Sequence, residues 1–179
     1  MKETSFGNLL ERAKNIRYFF TDVDGTLTDG GVYYSPEGEF VKKFSMRDGT
    51  GFFLLRHCGI KTGIITSENS PIVTCRAEKL RVDKYIYGSI AKVDAMQSFL
   101  KTESLSFENI AYIGDEINDL KLMKKCGLSF AVADADERVK KVANIVCSNK
   151  GGCGAFREAS EILITILGYN IEQIVEDSL

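Results

Sequence analysis

Tyr18-Phe19-Phe20-Thr21-Asp22-Val23-Asp24-Gly25-Thr26-Leu27-Thr28-Asp29 decides the fold. An apolar, aromatic run stops abruptly at two carboxylates spaced i, i+2. A continuous apolar run of this length predicts a strand buried on both faces, as in a parallel sheet. Gly25 then lets the chain turn sharply. Acids at the carboxyl end of a central parallel strand stand where open α/β sheets bind ligands.

Working outward, strand and helix signals alternate. Phe6, Leu9, Leu10 and Ala13 have helical spacing over residues 5–14. The first strand covers 16–22. Two β-prone runs flank Ser35-Pro36-Glu37-Gly38, which predicts a hairpin over about 30–44 above the ligand end of the sheet. It serves as an edge hairpin, a flap or a subunit contact. A helix over 49–58 ends at Gly59, with His57 placed as a dipole partner or surface group. Strand 61–66 leads to Ser70 as N-cap, Pro71 at the first helical position, and a helix to about Leu80. Further strands are expected at 82–87, 109–114, 128–133 and 145–146. Further helices are expected through Met96, Phe99 and Leu100, over 120–125, 136–143 and 155–167. Gly151-Gly152-Cys153-Gly154 reads as a flexible loop. The whole predicts one doubly wound, mostly parallel α/β domain over 1–179.

Composition narrows the function. The net charge is −2, with no long basic run, which disfavours nucleic acid as a partner. No stretch nears the roughly 18 apolar residues of a membrane span. The start, Met1-Lys2-Glu3-Thr4-Ser5, lacks the apolar core of a secretory signal, so a cytoplasmic location is expected. Five cysteines without a CxxC pair suit reduced, mostly buried thiols. A single histidine, His57, leaves no set of two or more His ligands or bases.

Three strands end in polar signals: Asp22 and Asp24, then Thr66, then Asp115 and Asp119. Lys92 lies between the second and third. The carboxyl ends of parallel strands would gather them in one crevice, where clustered carboxylates require a compensating cation. Hard oxygen donors without Cys or His select Mg²⁺. Lys92 and the Thr66 hydroxyl suit a phosphate oxygen. The set describes Mg²⁺-assisted phosphoryl transfer to a carboxylate nucleophile.

Asp22-Val23-Asp24-Gly25-Thr26 resembles the first motif of the haloacid dehalogenase superfamily. Thr66 resembles its second, Lys92 its third, and Gly114-Asp115-Glu116-Ile117-Asn118-Asp119 its acidic fourth. The resemblance implies that Asp22 is the nucleophile and Asp24 the acid and base. It implies Mg²⁺ on the Asp22 carboxylate, the Asp24 carbonyl and Asp115. Asp119 would orient Lys92 and touch a metal-bound water, with Glu116 and Asn118 beside it. Glu116 stands where Asp is more usual, and Ser67 where Gly is more usual.

About 44 residues separate Asp22 from Thr66, and about 26 separate Thr66 from Lys92. Neither gap holds a folded cap, so an open site closed by neighbouring subunits is expected. Across about 15–165 the chain resembles the capless phosphatases of 3-deoxy-ulosonate sugar acids. These are homotetramers acting on 3-deoxy-D-manno-octulosonate 8-phosphate or on nonulosonate 9-phosphates. Arg47-Asp48-Gly49 resembles the first branch. Glu68, followed by Arg76 and Lys79 on one helix face, resembles the second. By that resemblance Arg47, Ser67, Glu68, Arg76 and Lys79 bind the sugar acid; an exposed salt-bridged face is the alternative for Arg76 and Lys79. Two other readings stand: a phosphatase of another small metabolite, and a non-catalytic scaffold of the same fold.

Overall fold

The computed structural model describes residues 6–177. Among these residues there are eight strands: β1 (Tyr18–Thr21), β2 (Thr28–Ser35), β3 (Gly38–Phe44), β4 (Lys61–Ile65), β5 (Lys84–Ile86), β6 (Ile110–Gly114), β7 (Leu128–Ala131) and β8 (Ile145–Val146). The helices are α1 (Phe6–Lys14), α2 (Met46–His57), α3 (Pro71–Leu80), α4 (Lys92–Glu103), α5 (Leu120–Met123), α6 (Glu137–Val142), α7 (Ala155–Ile166) and α8 (Ile171–Glu176).

Six strands form one sheet in the order β5-β4-β1-β6-β7-β8, every pairing parallel. From β1 the chain works outward through β4 and β5, then returns to the other side of β1 at β6. The strand order therefore reverses between β1 and β6, the place where such sheets open a ligand crevice. Phe19 and Phe20 are fully buried on opposite faces of β1. Phe19 packs on Phe130 and on Phe156 of α7, which stacks on Phe52 of α2 at 4.2 Å. Phe20 meets Phe99 of α4 edge-on. Each such aromatic contributes about 3–5 kcal/mol against truncation to Ala. Gly63 on β4 is forced by this packing, since a Cβ there would occupy the Phe20 ring.

β2 and β3 form a separate two-stranded antiparallel hairpin, with a register irregularity in each strand, joined by Pro36-Glu37. Between β1 and β4 the chain holds only this hairpin and α2, and between β4 and β5 only α3. No cap domain is inserted at either point.

Several boundaries differ from the sequence expectation. α2 begins three residues earlier, at Met46, because the Ser45 hydroxyl accepts the Arg47 N–H at 3.2 Å and caps it. Ser70 sits at the N-cap position of α3 but makes no cap bond; its hydroxyl donates instead to Glu39 of the hairpin at 3.1 Å. Long-range bonding overrides the local cap. The helix expected over 120–125 is a 3-10 turn at Ile117–Asp119 followed by the short α5. α8 was not anticipated. Gly151 and Gly152 do not form a free loop. They are buried, with the Gly152 N–H donating to the Thr26 carbonyl and that of Gly151 to Asp134. Of the cysteines, Cys126 and Cys147 are buried and Cys58 half-buried, while Cys75 and Cys153 lie exposed, so the thiols are less buried than expected. None is bridged. No described helix is long and apolar enough to cross a membrane.

Candidate active site

Asp22 follows β1, Thr66 follows β4, and Asp115 follows β6. Parallel pairing of β1 with both neighbours sets the three strand ends level, and the Asp22 N–H donates to Ile113 of β6 at 3.0 Å. The result is a crevice of about 420 Å³. Its lining includes Asp22, Asp24, Thr66, Ser67, Glu68, Asp115, Glu116 and Asn118, with Val32, Tyr34, Glu39 and Lys42 from the hairpin.

Lys92 opens α4 and reaches into the floor from behind. Its ammonium bridges Asp22 Oδ1 at 2.8 Å and Asp119 Oδ1 at 2.7 Å. It also donates to the Tyr112 hydroxyl at 3.2 Å, and Tyr112 donates to Asp119 Oδ1 at 2.6 Å. Asp119 is fully buried, and its other oxygen accepts the N–H groups of Asp115 and Glu116. One carboxylate thus carries four bonds, which fixes Lys92 and the acidic turn together. Gly114 is needed here, because a Cβ would collide with the Asp119 carboxylate.

Asp115 is held by Thr26, whose hydroxyl donates to Oδ1 at 2.9 Å. Gly25 adopts φ +84°, and a Cβ there would overlap the Asp115 carboxylate. Thr66 is buried, and its hydroxyl oxygen accepts the Glu68 N–H at 3.1 Å, leaving the hydroxyl hydrogen to donate elsewhere. Glu116 caps its own 3-10 turn through the Ile117 N–H.

Oxygens of Asp22, Asp115 and Asp119 lie within 4.8 Å of one another. Burial pushes the Asp22 carboxyl up to about 7, with the negative Asp119 adding to it and the Lys92 charge opposing it. Burial, then the nearby Asp22 charge, pushes Asp115 up to about 8. Six carboxylates line the crevice (Asp22, Asp24, Glu39, Glu68, Asp115 and Glu116) against one ammonium, that of Lys42. A phosphate dianion would be repelled from such a surface. The donor set therefore fits a hard divalent cation, which oxygens of the Asp22, Asp115 and Asp119 group could hold.

Arg47, Arg76 and Lys79 lie elsewhere. Arg76 and Lys79 line a separate groove between α2 and α3, with Met46, Phe53, Arg56 and Arg81. Arg76 donates to the Ser45 carbonyl at 2.9 Å and stacks over Phe44. Arg47 is exposed beside Gly154. None of the three lines the crevice of its own chain.

Three participants were missed from the sequence. Lys42 of β3 forms an ion pair with Asp24, and only the hairpin's placement shows it. Tyr112 looked like an ordinary apolar strand residue. Thr26 stood in the first motif, but nothing in its spacing tied it to Asp115.

A haloacid dehalogenase-like hydrolase family profile matches residues 68–154. The 3-deoxy-D-manno-octulosonate 8-phosphate phosphatase of Haemophilus influenzae is 39% identical over 88% of each chain. A cobalt-bound structure of the H. influenzae phosphatase superposes with a TM-score of 0.86 at 37% identity, covering 92% of this chain and 99% of that one. The Moraxella catarrhalis enzyme, solved with magnesium, phosphate and KDO, superposes with a TM-score of 0.90 at 31% identity, covering 98% and 100%. With the acids, threonine and lysine at the switch point, these likenesses show that the chain belongs to the 3-deoxy-D-manno-octulosonate 8-phosphate phosphatase family of haloacid dehalogenase-like hydrolases, which are phosphoric monoester hydrolases.

Proposed function

We propose that this chain, acting as one domain without a cap, hydrolyses the phosphate monoester of a small 2-keto-3-deoxy sugar acid. The observation that carries the reading is Lys92 holding Asp22 and Asp119 together at the switch point. It leaves a buried carboxylate at the end of β1, lining the crevice of about 420 Å³. The substrate named for the relatives, 3-deoxy-D-manno-octulosonate 8-phosphate, is the first candidate. A nonulosonate 9-phosphate is the second, because Glu68, which resembles that branch, lines the crevice.

In this mechanism Asp22 attacks phosphorus. The bond from phosphorus to the sugar oxygen breaks, and Asp24 gives its proton to that oxygen. Water then attacks the aspartyl-phosphate, Asp24 takes a proton from it, and the bond to Asp22 breaks to release phosphate. Lys92 favours the ionised form of Asp22 against its burial and adds positive charge behind it. The Thr66 hydroxyl donates to a phosphoryl oxygen. The Asp22 carboxylate, the Asp24 carbonyl and Asp115 would hold Mg²⁺, which supplies the positive charge the crevice lacks.

Arg76 and Lys79 sit outside their own crevice, so a role for them toward the sugar acid requires a neighbouring subunit. The hairpin supports such an assembly, since Tyr33, Tyr34 and Phe40 are 62%, 75% and 69% exposed. A clustered apolar surface of this kind marks a contact face. We take the assembly to be a homotetramer, to be checked by sedimentation equilibrium.

The test is a kcat/KM panel with Mg²⁺: 3-deoxy-D-manno-octulosonate 8-phosphate, nonulosonate 9-phosphates and p-nitrophenyl phosphate. A sugar-acid phosphate should exceed the aryl ester by at least roughly tenfold. A flat profile overturns the substrate class. No hydrolysis of any ester overturns the enzyme reading in favour of a scaffold.

A further inference from the structure

The mechanism above assigns nothing to Lys42, the one cation lining the crevice. Lys42 lies on β3, outside all four sequence motifs, yet its side chain is only 2% exposed. Long flexible lysines are rarely buried without a fixed partner. Its ammonium binds Asp24 Oδ1 and lies 3.6 Å from Glu39. Glu39 in turn accepts from Ser70 at the start of α3. An unbroken polar chain thus runs from the first acidic motif through the hairpin to the helix behind Thr66. Asp24 itself is partly exposed and follows the end of β1, where no sheet bond holds its side chain.

We propose that Lys42 is a positioning residue: it occupies one oxygen of Asp24 and so holds the other toward the leaving oxygen of the ester. This rests on the reading of Asp24 as the proton donor. Glu39 and Ser70 keep Lys42 aimed, so the hairpin contributes to the chemical step as well as to any assembly. The proton passes from Asp24 to the departing sugar oxygen as its bond to phosphorus breaks; Lys42 exchanges none. A side chain freed of Lys42 would sample several rotamers and present the acid correctly in only some of them.

The consequence is a dependence on the leaving group. A sugar alkoxide needs the proton, whereas p-nitrophenolate departs as a stable anion without it. The experiment measures kcat/KM, which reports the first, bond-breaking half of the reaction, for Lys42→Met and Lys42→Arg on both esters. Lys42→Met should lose roughly 30- to 100-fold on the sugar-acid phosphate and less than about fivefold on the aryl ester. Lys42→Arg should recover part of the loss. Asp24→Asn should show the same selectivity, and adding Lys42→Met to it should cost little more, since Lys42 acts through Asp24. Equal loss on both esters, or full additivity with Asp24→Asn, overturns the proposal. So does a change confined to KM. If Lys42→Met does not fold, the same ratio measured on Lys42→Arg and Ser70→Ala decides. A wild-type protein inactive on both esters removes the underlying reading instead, so the two failures are distinct.

Discussion

The floor of the crevice and the hairpin above it are built on opposite terms. On the floor, Asp22, Thr66, Lys92 and Asp119 are buried, and Lys92 and Asp119 are held from several directions. Asp119 accepts four bonds, Lys92 makes three, and glycines at 25 and 114 admit the carboxylates beside them. The hairpin pairs only with itself and exposes its aromatics to solvent. Its ties to the floor include the Lys42–Asp24 ion pair and the Glu39–Ser70 hydrogen bond. The contrast fits a division of tasks: phosphoryl chemistry needs preorganised charge, whereas the assembly proposed for the hairpin needs an accessible face.

Replacing floor groups should therefore abolish turnover without unfolding the protein. Asp22→Asn removes the proposed nucleophile, and kcat should fall by roughly 10⁴-fold or more. Its Tm should stay level or rise, because a buried carboxylate is neutralised. Residual activity within tenfold of wild type would break the contrast at its strongest point.

Gly25→Ala comes next. It strains a positive-φ position by about 1–3 kcal/mol and drives a methyl group into the Asp115 carboxylate. Turnover should fall by roughly 100-fold, with a weaker Mg²⁺ affinity by calorimetry. Unchanged Mg²⁺ binding would show that Asp115 does not hold the ion.

The floor should also couple stability to pH. Burial raises Asp22 to about 7 and Asp115 to about 8. Between the ordinary carboxylate range and pH 8 the folded protein therefore binds protons that the unfolded chain has released. Metal-free stability should fall as pH rises through that window, with Tm dropping by roughly 3 °C or more between pH 5 and 8.5. Mg²⁺ replaces those protons, so its affinity should increase with pH and its binding should release protons. Thermal scans with and without Mg²⁺ check this; a metal-free Tm that rises over the range refutes it.

The smallest effects belong to the hairpin's outer face. Tyr33→Ser and Phe40→Ser should leave aryl phosphate hydrolysis within about threefold and stability within about 0.5 kcal/mol. Each should shift the assembly toward smaller species in sedimentation. An aryl-phosphate loss as large as that of a floor variant would erase the distinction between the two regions.

Much of this was legible because it is local. The apolar run before Asp22, the Ser-Pro-Glu-Gly turn of the hairpin and Pro71 at the start of α3 each carry their own periodicity or turn chemistry. Ser70 shows the limit: by local rules it caps α3, yet a hairpin carboxylate captures its hydroxyl. The Gly151-Gly152 turn shows another. Its glycines suggested looseness, whereas they allow the backbone to press against Gly25 and Thr28.

By itself, the sequence determined the strand–helix alternation, the order of the four motifs and hence the chemistry at the sheet's carboxyl edge. Side-chain type and spacing along a strand or turn suffice for that. Only the tertiary structure decided that Lys42 meets Asp24, that Tyr112 joins Asp119 in anchoring Lys92, and that Arg76 and Lys79 face a groove of their own. Those relations depend on where parallel crossovers and the hairpin carry residues far apart in the chain, which no local pattern encodes.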